Sequence, residues 1–304
     1  MPHFGRKEPE VENLMFELEN TISLTKEEPL FETMAILGLG LIGGSFALAA
    51  HKQRMARNIV AFDPNIRHLA QASTNGVIEQ GFSNVMDAVK YADAVILAAP
   101  VCAILDLLST ITPYLQPNTF VMDLGSTKSE IVMAMDELPA HICAIGGHPM
   151  AGKELSGYTA AEATLFEGAT FALCPSIRTT PTAHKLAERI VKAIGAHPLF
   201  VDAATHDAAV ARISHLPYLL SATLAYAASP QGLSRQLAAS GYRDTSRLSG
   251  SDPTMMLNIL LTNAAPIRAA LADSRAALDR LDQLLLAGNE SGLRAWMDEA
   301  RARR

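Results

Sequence analysis

Met34-Ala35-Ile36-Leu37-Gly38-Leu39-Gly40-Leu41-Ile42-Gly43 carries four apolar residues straight into three spaced glycines, and a helix-like segment over 42–54 begins at its end. A short continuous apolar run bounded by glycine reads as a buried strand, so the glycines stand at a strand-to-helix turn. Gly38 permits the tight turn, Gly40 lets a pyrophosphate approach the backbone, and Gly43 lets the helix pack close. Leu41 and Ile42 open the helix, whose free N–H groups and positive dipole end face the phosphates. The stretch predicts a dinucleotide cradle.

The next apolar run, Ile59–Phe62, ends at Asp63, twenty residues after Gly43. A carboxylate there accepts hydrogen bonds from both ribose hydroxyls and repels a 2′-phosphate, which points to NAD rather than NADP. Asp63-Pro64-Asn65 also reads as a plain helix-capping turn, and Arg67 leaves some NADP tolerance open. Further strands are expected at Ala94–Leu97 and Thr119–Met122, with helices at 65–72, 101–110 and 127–136. Pro100, just past the third of these strands, is a further candidate on the cofactor side. Near-continuous apolar strands alternating with helices predict a doubly wound, mostly parallel α/β sheet of Rossmann type. A weaker pair, Thr170–Leu173 and His197–Val201, flanks a helix at about 182–194 and extends the sheet. Beyond Asp202 the strand signals stop, and 203–229 and 254–287 carry helical periodicity. The chain is divided accordingly into an acidic extension (1–33), a dinucleotide-binding domain (34–200) and an all-helical substrate and dimerisation domain (201–304).

Charge narrows the partners. The net charge is −6, and residues 1–33 hold three basic groups against eight acids. The remainder of the chain is almost neutral, with no basic stripe for a nucleic-acid backbone. The three cysteines, Cys102, Cys143 and Cys174, form no C-x-x-C pair, which speaks against a structural metal or disulfide framework. No secretory signal or bilayer-length apolar run is read, so the expectation is a cytoplasmic protein without a membrane partner. Helices this apolar in a modest domain call for more surface to bury, and a homodimer through them is expected.

Hydride transfer from an alcohol requires a base, and an anionic substrate requires a cation. Four segments offer such groups. Asp123-Leu124-Gly125-Ser126-Thr127-Lys128 follows a strand, where Ser126 serves either as a helix cap or as a site residue. Gly146-Gly147-His148-Pro149-Met150-Ala151-Gly152-Lys153-Glu154 holds His148 in what reads as a rigid loop, as a structural group or as a positioned base. His206-Asp207 precedes Ser214-His215-Leu216-Pro217-Tyr218. Gly241-Tyr242-Arg243-Asp244-Thr245-Ser246-Arg247-Leu248, read as a polar loop, leads to Ser251-Asp252-Pro253. Its two arginines are either surface ion pairs or an anion clamp.

Taken together and in this order, these motifs resemble the prephenate dehydrogenase family, which includes arogenate and cyclohexadienyl dehydrogenases. The resemblance runs from about residue 34 to 290 and rests on GLGLIGGS, D-x-GS-x-K, GGHPMAG-x-E, SHLP and GYRD-x-x-R-x-x-x-SDP. It implies NAD-dependent oxidative decarboxylation of prephenate to 4-hydroxyphenylpyruvate, in tyrosine biosynthesis and without a metal. It further implies His148 as the base, Ser126 beside it near the nicotinamide, and Arg247 on a substrate carboxylate. Glu154 and Arg243 would form a polar network at the pocket mouth, with His215 and Ser251 on the substrate side. Tyr218 departs from the histidine that many relatives carry there, so prephenate and arogenate both stay open. Two other readings compete. A β-hydroxy-acid dehydrogenase would use a lysine in the helical domain, yet Lys192 is the last lysine. A catalytically silent NAD-binding protein need not keep Ser126, His148 and Arg247 together.

Overall fold

The computed structural model describes residues 28–228 and 231–303; residues 1–27 of the expected acidic extension lie outside them. The chain opens with β1 (Phe31–Leu37), α1 (Leu41–Lys52), β2 (Ala56–Phe62), α2 (Ile66–Thr74), β3 (Gln80–Phe82), α3 (Val85–Val89), β4 (Ala94–Leu97) and α4 (Val101–Ile111). It continues through β5 (Phe120–Asp123), α5 (Ser129–Asp136), β6 (Cys143–Pro149), β7 (Thr170–Pro175), α6 (Pro181–Ala193) and β8 (His197–Phe200). These strands form one eight-stranded sheet in the order β3-β2-β1-β4-β5-β6-β7-β8. β1 to β6 run parallel, β7 is antiparallel to β6, and β8 is parallel to β7.

Successive strand residues point to opposite faces, and both faces are covered, which is why the strands read as unbroken apolar runs. Met34 and Ile36 enter one core with Phe46, Phe166 and Phe171. Ala35 and Leu37 enter the other with Val95, Leu97 and Ile104. The doubly wound domain and the weaker β7–α6–β8 extension are thus as the sequence predicts.

After Asp202 the chain is helical: α7 (Ala203–Val210), a π turn at Ala211–His215, α8 (Leu216–Ala228), α9 (Gly232–Leu237), α10 (Ser240–Ser246), a 3-10 turn at Arg247–Gly250, α11 (Pro253–Thr262), α12 (Ala264–Leu286) and α13 (Glu290–Ala302). Among the described residues no single helix is long and apolar enough to cross a membrane.

Three expectations need correction. His148 lies in β6, opposite Ala172 of β7, and not in a loop. The glycines that suggested a loop are there because β6 is pressed between its neighbours. A Cβ on Gly147 would come within 2.5 Å of the Asp123 carbonyl oxygen. Arg243 and Arg247 sit on α10 and the 3-10 turn after it, where the Ser246 and Ser249 hydroxyls donate back to the Tyr242 and Ser246 carbonyls. The periodicity over 254–287 is interrupted at Asn263, where α11 and α12 meet at 94°. Asn263 is buried there, and its amide donates to the Asp207 carbonyl 2.9 Å away.

The helical domain docks on the carboxyl edge of the parallel strands and supplies caps that the sheet domain lacks. Asn258 accepts the Cys102 N–H at the start of α4 at 2.9 Å, and Asp207 accepts the Lys128 and Ser129 N–H groups at the start of α5, each at 2.8 Å. Helix starts carry unpaired donors, so these side chains satisfy groups that would otherwise be orphaned.

Candidate active site

At the carboxyl ends of β1 and β2 the glycine turn has the geometry its sequence demands. Gly38 adopts φ +103°, and a Cβ there would come within 2.4 Å of the Ala98 carbonyl oxygen. A Cβ on Gly43 would fall 1.9 Å from the Gly38 carbonyl oxygen, whereas one on Gly40 would meet nothing within 4 Å. Two glycines are therefore required by packing and the third leaves open space. Gly40 is also the N-cap of α1 and provides no side-chain cap, so Leu41 and Ile42 begin a helix whose first donors are not met by a capping side chain.

Asp63 is buried behind this turn. One carboxylate oxygen accepts the Leu39 N–H at 2.6 Å, and the other accepts the Asn65 N–H at 2.7 Å. Capping of α2 falls to Asn65, whose side chain accepts the Arg67 N–H. Asp63 ties the glycine turn to the end of β2, and His68 Nδ1 lies 3.3 Å from the same oxygen that Asn65 bonds. Pro100 occupies the same edge, exposed at the N-cap of α4.

Further along this edge lies the histidine centre. His148 Nδ1 is 2.9 Å from His206 Nε2, and His206 Nδ1 is 2.8 Å from Asp207 Oδ1. Burial, reinforced by His206, Lys128 and His215 and opposed by Asp207, holds the His148 imidazole well below its ordinary pKa. The uncharged form of the ring is therefore favoured at neutral pH. His215 is buried in the π turn, with Nδ1 3.2 Å from the Asn263 amide nitrogen, and burial lowers it to about 4. An amide nitrogen only donates, so His215 Nδ1 accepts.

Beneath His148 runs a buried ion pair. Lys128 Nζ contacts Asp123 and also donates to the Gly147 carbonyl at 2.6 Å, and both side chains are fully buried. Asp123 in turn accepts the Gly125 N–H at 2.7 Å and the Gly147 N–H at 3.0 Å. The pair clamps the segment holding Ser126 to the residue before His148. Ser126 is half-buried in the bend after β5.

The substrate-side candidates separate into two groups. Arg247 pairs with Glu154 across 93 residues, with both side chains exposed. An exposed pair of this kind adds little stability, so it leaves a guanidinium free to exchange partners. Arg243 is exposed on α10, and Ser251 bonds the Leu248 carbonyl within its own turn. Tyr218 is half-buried against the helical core of Ala211, Met256, Ile259 and Ile267.

Sequence reasoning missed Asn258, Asn263 and the Asp123–Lys128 pair. No spacing rule links Asn258 or Asn263 to the site, but a lysine five residues after a strand-ending aspartate was a usable signal. Removing one member of a buried pair strands the other charge, at a cost of roughly 3–5 kcal/mol. Lys128→Met is expected to lower the unfolding free energy by about that much in denaturant titration. Replacing both, Asp123→Leu with Lys128→Met, recovers a large part of the loss; equal loss in single and double variants would show that the pair is not the cause.

Comparison with known proteins agrees with this arrangement. The family model described as prephenate dehydrogenase, nucleotide-binding domain, matches residues 46–200, and that described as prephenate dehydrogenase, dimerization domain, matches residues 202–299. The prephenate dehydrogenase of Bacillus subtilis is 34% identical over 258 residues, covering 83% of this chain and 67% of that protein. The crystal structure of prephenate dehydrogenase from A. aeolicus, in complex with hydroxyphenyl propionate and NAD+, superposes with a TM-score of 0.83 at 26% identity, covering 90% of this chain and 97% of that one. Synechocystis arogenate dehydrogenase gives a TM-score of 0.77 at 29% identity, covering 90% of this chain and 98% of that one. With both domains matched and the histidine centre at their junction, the chain belongs to the prephenate dehydrogenase family.

Proposed function

We propose that this chain is an NAD-dependent dehydrogenase that oxidatively decarboxylates prephenate to 4-hydroxyphenylpyruvate. The observation that carries the reading is the position of His148: a half-buried imidazole with a lowered pKa, on the same strand edge as the glycine cradle and bonded by His206 from the second domain. The cradle fits a dinucleotide, with open space at Gly40, a helix start without a side-chain cap and a buried carboxylate behind it. Gly38, Gly40, Leu41, Ile42 and Gly43 would hold the pyrophosphate side, and Asp63 the ribose, favouring NAD over NADP. Bound NAD supplies the acceptor for the departing hydride.

The chain's own residues then have simple tasks. His148 takes the ring hydroxyl proton as the C–H bond gives up its hydride, and returns a proton to the phenolate oxygen after carbon dioxide leaves. Ser126 bonds the same hydroxyl. Arg247 exchanges Glu154 for a substrate carboxylate, with Arg243 adding positive charge at the mouth. His215 and Tyr218 face the substrate side chain. Tyr218 supports a second reading, oxidation of arogenate, because a phenol hydroxyl can bond either an ammonium or a ketone.

Side by side, prephenate and arogenate with NAD should give NADH formation with prephenate as the better substrate. NADP in place of NAD should lower kcat/KM, and His148→Asn should lower kcat by about 10²–10⁴-fold with NAD affinity kept within a few-fold. Arogenate as the better substrate would move the assignment to the second reading. Turnover of neither would leave a silent NAD-binding protein.

We further propose a homodimer through the helical domain. Leu257, Leu261, Leu278, Leu285 and Leu286 are exposed large apolar side chains there, against a small internal core. Light scattering should return twice the 32.5 kDa chain mass, and a monomer at micromolar concentration would refute the assignment.

A further inference from the structure

The His148 ring can act as a base only at a nitrogen that carries no proton, and which nitrogen that is depends on what the other one bonds. In this structure the other partner is His206, and His206 is itself bonded to Asp207. Both come from α7 in the helical domain, whereas His148 belongs to the sheet.

We propose that Asp207 and His206 are positioning residues that set the tautomer of His148, keeping the proton on Nδ1 and leaving Nε2 bare for the substrate hydroxyl. The hydrogen-bond relay starts at Asp207. An ionised carboxylate only accepts, and Oδ1 and Oδ2 already accept the backbone N–H groups of Lys128 and Ser129. His206 Nδ1, 2.8 Å from Oδ1, therefore carries the proton. Burial works to raise the Asp207 carboxyl, but hydrogen bonds from His206, Ser129 and Lys128 outweigh it and hold it below the usual range, so the carboxylate form persists at neutral pH. With its ring proton committed to Asp207, His206 presents Nε2 as the acceptor for His148 Nδ1–H across 2.9 Å.

When the substrate O–H bond breaks, its proton forms the new N–H bond at His148 Nε2. The resulting imidazolium points its other N–H at His206, and Asp207 beyond it offsets the charge. No further acid, base or oxidant is needed. Because Asp207 also caps α5, the base is set correctly only while the two domains are docked.

This inference rests on the dehydrogenase reading, so one readout must be independent of turnover. In wild-type protein carrying 15N-labelled histidine, with His148 assigned through His148→Gln, the proposal expects a protonated Nδ1 and a bare Nε2 near pH 7. The reverse tautomer, or an imidazolium, overturns it whether or not the enzyme turns over prephenate. In kinetics, His206→Leu should lower kcat by about 10²-fold or more, with KM and NAD affinity within a few-fold. His206→Gln, whose amide oxygen can accept from His148 Nδ1–H, should recover most of that loss. Asp207→Asn should fall by about 10²–10⁴-fold, because an amide donor at that position favours the opposite tautomer on His206. A His206→Leu variant with near wild-type kcat would overturn the proposal. So would equal losses in His206→Leu and His206→Gln with melting temperature and NAD affinity unchanged.

Discussion

The carboxylate of Asp207 is the contact on which the arrangement of this enzyme depends. It belongs to the helical domain, yet it accepts the first backbone donors of α5 in the sheet domain and bonds the ring of His206. Negative charge at a helix N-terminus is favourable by itself, and the effect is larger when the group is buried. One side chain thereby docks two domains, completes a helix and anchors the chain of rings that leads to His148. Asn263 locks the same point from behind, bonding the Asp207 carbonyl at the sharp corner between α11 and α12.

Around this anchor the polar groups are arranged in layers. Below His148, the Lys128–Asp123 pair fixes the backbone of Gly147 and Gly125 and so aligns the ends of β5 and β6. At its side stand His206 and His215, and burial depresses the pKa of both His148 and His215. Outside, where solvent screens charge, Arg247 and Glu154 form a pair that a substrate anion can enter at little cost. Deep charges therefore fix geometry, whereas the shallow pair is exposed and free to exchange partners.

Much of this was legible in the sequence, for particular reasons. β1, β4 and β5 are buried on both faces and β2 is buried on one and half-buried on the other, so their apolar runs announced them, and the spacing of Gly38, Gly40 and Gly43 told which turn came next. β6 was hidden because close approach to β5 requires glycine, the residue that ordinarily signals a loop. The break at Asn263 has a local cause in Pro266, which has no N–H for the Thr262 carbonyl, and the bond from Asn263 to Asp207, 56 residues away in sequence, holds the corner. His148, Arg247 and Glu154 were singled out through motif order, and the fold brings Arg247 and Glu154 together. The function of Asp207 could not be, since a cap supplied by another domain leaves no local pattern.

The central claim is that the site presents an uncharged histidine base to a prephenate-type hydroxyl. The most direct test is the pH dependence of kcat/KM for prephenate, which reports the ionisation of the free enzyme's base. A base held well below the ordinary imidazole pKa predicts a rate that is flat through neutral and mildly alkaline pH and declines only on the acid side of the ordinary imidazole range. A rate still rising between about pH 7 and 9 would contradict the account, because it would place the essential base on a different group.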